Sequence, residues 1–210
     1  MKLKSILLSA LLMCAVSASA DNIRLPDPEK TGGMSLREAL TLRRTTREFG
    51  DKDFNTQELS NMLYAAGGVN RSDGKLVYPV GMDTNDMKIY AVMRDGVYEY
   101  EAQSHSLEQI EYGDHRAECS SEEFTGHAGV NLVYVQNLEA WKDRAIPKEV
   151  ARTMGIYHTG AIMQNVYLYA ASENLNCVAQ GTFNYAKLRE LLKLNDTQTI
   201  TLIQLIGVKP

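Results

Sequence analysis

Arg43-Arg44-Thr45-Thr46-Arg47 puts three guanidiniums and two hydroxyls side by side in a chain that is acidic overall. Arginine grips phosphate or carboxylate oxygens through paired N–H donors, and a neighbouring hydroxyl adds a further bond, so the run can serve as an anion cradle. A solvated helix end is the competing reading, because basic side chains also favour the negative pole of a helix. Composition alone leaves the two level. His115, Cys119 and His127 carry metal-ligand side chains, the first two spaced i, i+4. No C-x-x-C accompanies them, and unrelated polar residues in an irregular segment is the preferred reading. The sequence contains no G-x-G-x-x-G, Walker-type loop, G-x-S-x-G or H-E-x-x-H. No side chain stands out as a nucleophile, acid or base.

The elements that must position these residues centre on Met154–Gly181. From Ala161 to Ala171 only Gln164 and Asn165 are strongly polar, so a helix apolar nearly all round, and therefore buried, is expected. The two amides are expected to satisfy the core or a subunit contact rather than a ligand. Pro147 begins this helix, Asn174 and Asn176 end it, and Cys177-Val178-Ala179 reads as a short strand running into Gln180-Gly181. Upstream, Asp21 to residue 34 reads as an extended arm. Ser35 with Glu38 then forms a capping box for a helix whose stripe is Leu36, Ala39, Leu40 and Arg43. Asn55 with Glu58 starts a second helix, carrying Leu59, Met62, Leu63 and Ala66 and stopped by Gly67-Gly68. Asn70 to Asp86 is a long loop, of a length that is commonly functional.

Met87–Arg94 and Val97–Glu101 read as a hairpin about Asp95-Gly96. Leu107–Glu111 is expected to be helical or a turn, and residues 113–126 give no clear signal. Val130–Val135 reads as a buried strand, Tyr185–Leu194 as an amphipathic helix and Thr199–Val208 as a closing strand. Helices and hairpin strands intermix without regular alternation, which favours an α+β fold over a doubly wound sheet.

Lys2 and Lys4, an apolar run from Ile6 to Val16 and Ala18-Ser19-Ala20 together predict a signal peptide over residues 1–20 and a periplasmic or secreted protein. A lipoprotein anchor at Cys14 is the competing reading, disfavoured by Met13 where a small residue is expected. Cleavage would leave about 190 residues, enough for one domain over 35–210 with a real core. It would also move the formal charge from -4 to -6, which argues against a nucleic-acid partner. No other segment has the length and apolarity of a membrane span. Cys119 and Cys177 remain, either as a disulfide or as small buried hydrophobes.

Three blocks in order resemble the nitroreductase family of flavoproteins, and within it the branch that includes the SagB-type dehydrogenases. Residues 43–49, Arg-Arg-Thr-Thr-Arg-Glu-Phe, are similar to R-[RH]-[ST]-x-[RK]-x-F. Ala65-Ala66-Gly67-Gly68-Val69-Asn70-Arg71 with the later Pro79-Val80-Gly81-Met82 resembles A-x-G-I-x-R…P-S-A. Gly160-x-x-x-Gln164-Asn165-Val166-Tyr167-Leu168-x-Ala170-Ala171 leading to Gly181 is the most specific block. The resemblance covers about Ser35 to Val208. It implies a mostly antiparallel central sheet flanked by helices, with one long core helix, and non-covalent FMN at the interface of an intertwined homodimer.

By position, Arg43 and Thr45 would hold the FMN phosphate, with Arg44 in the same cradle and Lys209 the only basic residue beyond the last strand. Arg47 would sit near N1 and the C2 carbonyl, where positive charge favours the anionic reduced flavin. The loop with Pro79, Gly81, Met82 and Asp83 would lie along the isoalloxazine or ribityl chain, and Gln180-Gly181 would face N5. Val80 replaces the usual Ser, and an ionised Asp83 beside the flavin calls for a partner or a protonated carboxyl. The implied activity is an exported FMN-dependent oxidoreductase working by ping-pong transfer from a small-molecule donor to a small nitro or quinone-like acceptor. A redox-inactive family member that binds a ligand or partner is the second reading.

Overall fold

The computed structural model describes residues 22–210, and the expected leader, residues 1–20, lies outside them. In chain order the strands are β1 (Asn22–Arg24), β2 (Met87–Val92), β3 (Gly96–Glu101), β4 (Ser106–Tyr112), β5 (Val130–Asn137), β6 (Asn176–Gln180) and β7 (Gln198–Gly207). The helices are α1 (Leu36–Leu42), α2 (Thr56–Gly67), α3 (Lys148–Ser172) and α4 (Tyr185–Leu191). The strands form one sheet in the order β1-β4-β3-β2-β5-β7-β6, with every neighbouring pair antiparallel. The expected α+β architecture is therefore present.

Both faces of this sheet are covered, which is why β2, β5 and β7 read as nearly unbroken apolar runs. Ile89, Ala91, Leu132 and Tyr134 pack with Met62, Leu63 and Ala66 of α2 and with Ile162, Val166 and Ala170 of α3. On the other side Tyr90, Val92, Val133, Val135, Ile203 and Leu205 pack with Leu188 of α4 and Leu192 just beyond it. The alternation of neighbours within β2 and β5 is the period of two that a pleated strand imposes. Both predicted capping boxes form, Ser35 with Glu38 and Asn55 with Glu58, and α2 ends at Gly67.

Four expectations are corrected. Leu107–Glu111 is neither helix nor turn but the middle of β4, paired with β3 on one side and β1 on the other. The N-terminal arm is not merely extended, since Asn22–Arg24 forms the sheet's edge strand. Of the apolar stripe proposed for α1 only Ala39 is buried, while Leu36 and Leu40 are 64% and 53% exposed. The long helix α3 is not buried all round. Its core stripe is Ala151, Gly155, His158, Thr159, Ile162, Val166, Tyr167 and Ala170, whereas Ile156 and Tyr157 are 57% and 65% exposed.

Between α2 and β2 the long loop is pinned by a bridge from Val69 to Leu76 and by a single 3-10 turn, Gly81–Asp83. Cys119 and Cys177 are free and buried, so the disulfide alternative is not realised.

Candidate active site

The arginine run leaves α1 as extended chain and is stitched to the sheet. Thr46 N–H donates to Cys177 O (2.9 Å), and Cys177 N–H donates to Thr46 Oγ1 (3.0 Å). Asn176 Nδ2 donates to Glu48 O (2.6 Å) and Gly50 N–H to Val208 O (2.9 Å). A Cβ on Gly50 would run into the Lys209 carbonyl, so glycine is needed there to bring the C-terminal tail alongside. Successive residues of an extended segment point to opposite sides. Thr46 faces β6, and Thr45 turns the other way to Tyr167.

Arg43 is half-buried with its guanidinium 5.3 Å from the centre of the Tyr167 ring, and Arg44, Thr45 and Arg47 are exposed. Tyr167 was not among the predicted site residues. Its hydroxyl accepts from Ala179 N–H (2.8 Å) and lies 3.1 Å from Thr45 Oγ1. The two hydroxyls own two hydrogens and their mutual contact uses one, so one remains for an outside acceptor. Arg44 and Lys209 line a cavity of about 60 Å³ with Tyr167, Asn174 and Cys177, and Lys209 Nζ is hydrogen-bonded to Asn174 Oδ1. Among the described residues none of Arg43, Arg44 or Arg47 has a carboxylate partner, whereas Arg94, Arg116 and Arg189 each do. Burial pushes the Cys177 thiol up to about 12 against opposing effects of Gln204 and Arg43, so it is no nucleophile.

At the end of β6, Gln180 Oε1 is buried without a hydrogen-bond partner among the described residues, and Gly181 is exposed with open space about its Cα. Along β6, Cys177 and Ala179 face α3 and Val178 faces α4, so Gln180 shares the face of Val178, and what the Tyr167 side offers a ligand is unpaired guanidiniums and a spare hydroxyl hydrogen, which suit an anion. FMN offers its phosphate as such an anion. Arg43, Arg44, Thr45 and Lys209 are thus brought together around Tyr167, whereas Arg47 and the Gln180-Gly181 end of β6 are tied to that region only through their neighbours Thr46 and Ala179.

Pro79, Gly81, Met82 and Asp83 are not part of that region. Their turn packs on α3 at His158, nine residues and roughly 13 Å along the helix from Tyr167. Gly81 N–H donates to His158 Nε2 (2.8 Å), and Met82 and Asp83 both have left-handed φ, 55° and 52°. Asp83 is largely exposed and 3.6 Å from Lys75 Nζ, which supplies the counter-charge the sequence called for. Elsewhere, His115 bonds Glu118 (3.0 Å) and the Tyr112 carbonyl (2.9 Å), and Cys119 is buried with its thiol pushed up to about 12 by that burial. Among the described residues no three metal-ligating side chains converge. Gln164 and Asn165 are half-buried and absent from the α3 core stripe.

The nitroreductase family model matches residues 40–208. A provisionally named nitroreductase of Methanocaldococcus jannaschii is 31% identical, over 83% of this chain and 90% of its own. The crystal structure of a provisionally named nitroreductase of Ralstonia eutropha superposes with a TM-score of 0.85 at 34% identity, covering 93% of each chain. The Escherichia coli microcin synthetase McbBCD complex shares the fold alone, with a TM-score of 0.69 at 16% identity over 98% of this chain and 85% of that one. A family match over most of the chain, and relatives that align nearly end to end with it, make this protein a member of the nitroreductase family of oxidoreductases.

Proposed function

We propose that the protein is an exported, homodimeric, FMN-dependent oxidoreductase that passes electrons from a small donor to a small nitro or quinone-like acceptor in a ping-pong cycle. The observation that carries the reading is the group of carboxylate-free guanidiniums at Arg43, Arg44 and Arg47 beside the Thr45–Tyr167 hydroxyl pair. Arg43, Arg44, Thr45 and Lys209 would hold the phosphate, by charge and by the spare hydroxyl hydrogen. Arg47 would stand at the N1 edge, and Gln180 and Gly181 at the opposite edge. Bound FMN supplies hydride and electron transfer at N5. The chain's own part is to bind, orient and shield it, with no side chain acting as nucleophile.

The dimer reading draws support from the outward face of α3. Val150, Tyr157, Ala161, Gln164 and Leu168 recur at steps of seven, four, three and four, and each is exposed or only partly buried. That stripe, which accounts for Gln164, suits a second copy of the same helix. A two-fold across it would bring the Gly81–Asp83 turn of one protomer toward the arginine run of the other and close the gap along α3. Export rests on residues 1–20, and cleavage before Asp21 would leave β1 whole from Asn22. Membership of the SagB-type branch rests on the order of the three blocks at residues 43–49, 65–82 and 160–181. The direct test is colour. Protein purified with added FMN should retain a flavin absorption band through gel filtration, and a colourless protein that fails to quench FMN fluorescence in titration would end the reading.

A further inference from the structure

The Gly81–Asp83 turn is fastened to the core by a buried polar relay. Asp86, 1% exposed, accepts from His158 Nδ1 (2.6 Å) at one oxygen and from Gln136 Nε2 (2.7 Å) and Trp141 Nε1 (2.8 Å) at the other. Gln136 Nε2 also donates to Ala151 O (2.7 Å), so the carboxylate is braced from β5, from the segment after it and from α3. His158, 3% exposed, receives the Gly81 amide at Nε2 (2.8 Å). An amide N–H can only donate, so Nε2 bears the lone pair and the ring proton sits on Nδ1, facing Asp86. Asp86 therefore fixes the tautomer, and the tautomer supplies the acceptor.

What the acceptor holds is a strained turn. Met82 and Asp83 are successive non-glycine residues in the left-handed region, a conformation that persists where the surroundings over-determine it. The other restraints are Thr84 N–H to Gly81 O (3.1 Å), Thr84 Oγ1 to Met82 O (3.2 Å) and the exposed ion pair of Asp83 with Lys75 (3.6 Å). A Cβ on Gly81 would meet Met154 Sδ at 3.1 Å and His158 Nε2 at 3.3 Å, so the turn is seated close against α3. With its amide committed inward, Gly81 leaves the exposed Met82 as the outward point of the turn.

We propose that His158, oriented by Asp86, is a positioning residue that sets where the Gly81–Asp83 turn meets the bound flavin. The inference rests on the FMN and dimer readings, by which the turn of one protomer reaches the flavin held by its partner, and its first observable does not. His158→Asn keeps a donor near Nδ1 for Asp86 but removes the acceptor for Gly81. His158→Gln places an amide oxygen near Nε2 and keeps that acceptor. In the full cofactor-free chain, amide hydrogen exchange at Gly81 should accelerate about tenfold or more in His158→Asn, with α2 and β5 amides unchanged, and return toward wild type in His158→Gln. FMN affinity, read by fluorescence quenching, should fall about tenfold in the first variant and recover in the second. Gly81 exchange as slow in His158→Asn as in wild type would overturn the proposal. So would acceleration spread evenly through the core, or an altered Gly81 with FMN affinity unmoved. If wild type itself takes up no FMN, the functional reading fails instead, and the exchange data still decide whether His158 holds the turn.

Discussion

Arg43 and Arg44 are chemically the same and structurally different. Arg43 is half-buried and stacked on Tyr167, so little of its freedom remains to be lost when it grips an anion, whereas Arg44 is exposed. Arg43→Ala should therefore weaken FMN binding by about 1.5–3 kcal/mol, and Arg44→Ala by less. Equal small losses in a fluorescence titration would return the run to being a solvated helix end. The arginine run was legible from the sequence because its chemistry is local. Tyr167 and His158 were not, because each is defined by partners far along the chain. Tyr167 meets Thr45 across 122 positions, and His158 meets Asp86 across 72. A tyrosine or histidine in an apolar helix gives no sign of which distant loop will fold over it.

Among the elements, α3 and β5 approach so closely at Gly155 that an added Cβ would overlap the Gln136 side chain. Gly155→Ala should destabilise the fold by about 1–3 kcal/mol despite alanine's better helix propensity, as urea unfolding would measure. The N-terminal arm is latched to α2 and to the β3–β4 turn through His105. Ser60 Oγ donates to Pro26 O (2.6 Å), so His105 Nε2 donates to Ser60 Oγ (2.7 Å) and Nδ1 accepts from Tyr100 (2.8 Å). Burial holds this imidazole below the ordinary histidine range, against opposing pulls from Pro26 and Asp27. A depressed folded value means the unfolded chain binds the proton more readily. The latch's contribution is thus complete above about pH 6.5 and declines as pH falls below it. Urea melts between pH 5 and 7.5 should show that slope, and it should flatten in His105→Gln. The long elements were readable from period and caps. β4 was not, because its polar Glu108, Gln109 and Glu111 sit near a sheet edge and a register shift at Val97/Tyr98 breaks the alternation. β1 is simply too short to carry a pattern.

For the molecule as a whole, the outward stripe of α3 exposes Val150 and Tyr157, and α1 exposes Leu36 and Leu40, apolar side chains that a second copy could cover. Light scattering with FMN present should give a dimer at micromolar concentration, and Tyr157→Arg should shift it toward monomer and release flavin. A monomeric wild type would count decisively against a composite site. If the leader directs export, the soluble nicotinamide pools of the cytoplasm are out of reach. The flavin should then be bleached readily by dithionite and only slowly by NADH or NADPH in stopped flow. NADPH reduction at roughly 10 per second or faster would sink both the donor argument and the export assignment.

The stitching of residues 46–50 to Cys177, Asn176 and Val208 has a consequence for solubility. β6 is the last strand of the sheet, and a bare edge invites pairing with another chain. Thr46 of the arginine run takes up both the N–H and the C=O of Cys177 on that edge, so the segment proposed to recruit the cofactor also hinders strand pairing there. Substitutions that release Thr46 from Cys177 should therefore drive the protein into the pellet, while changes at the exposed Arg47 should leave it clear in solution and colourless.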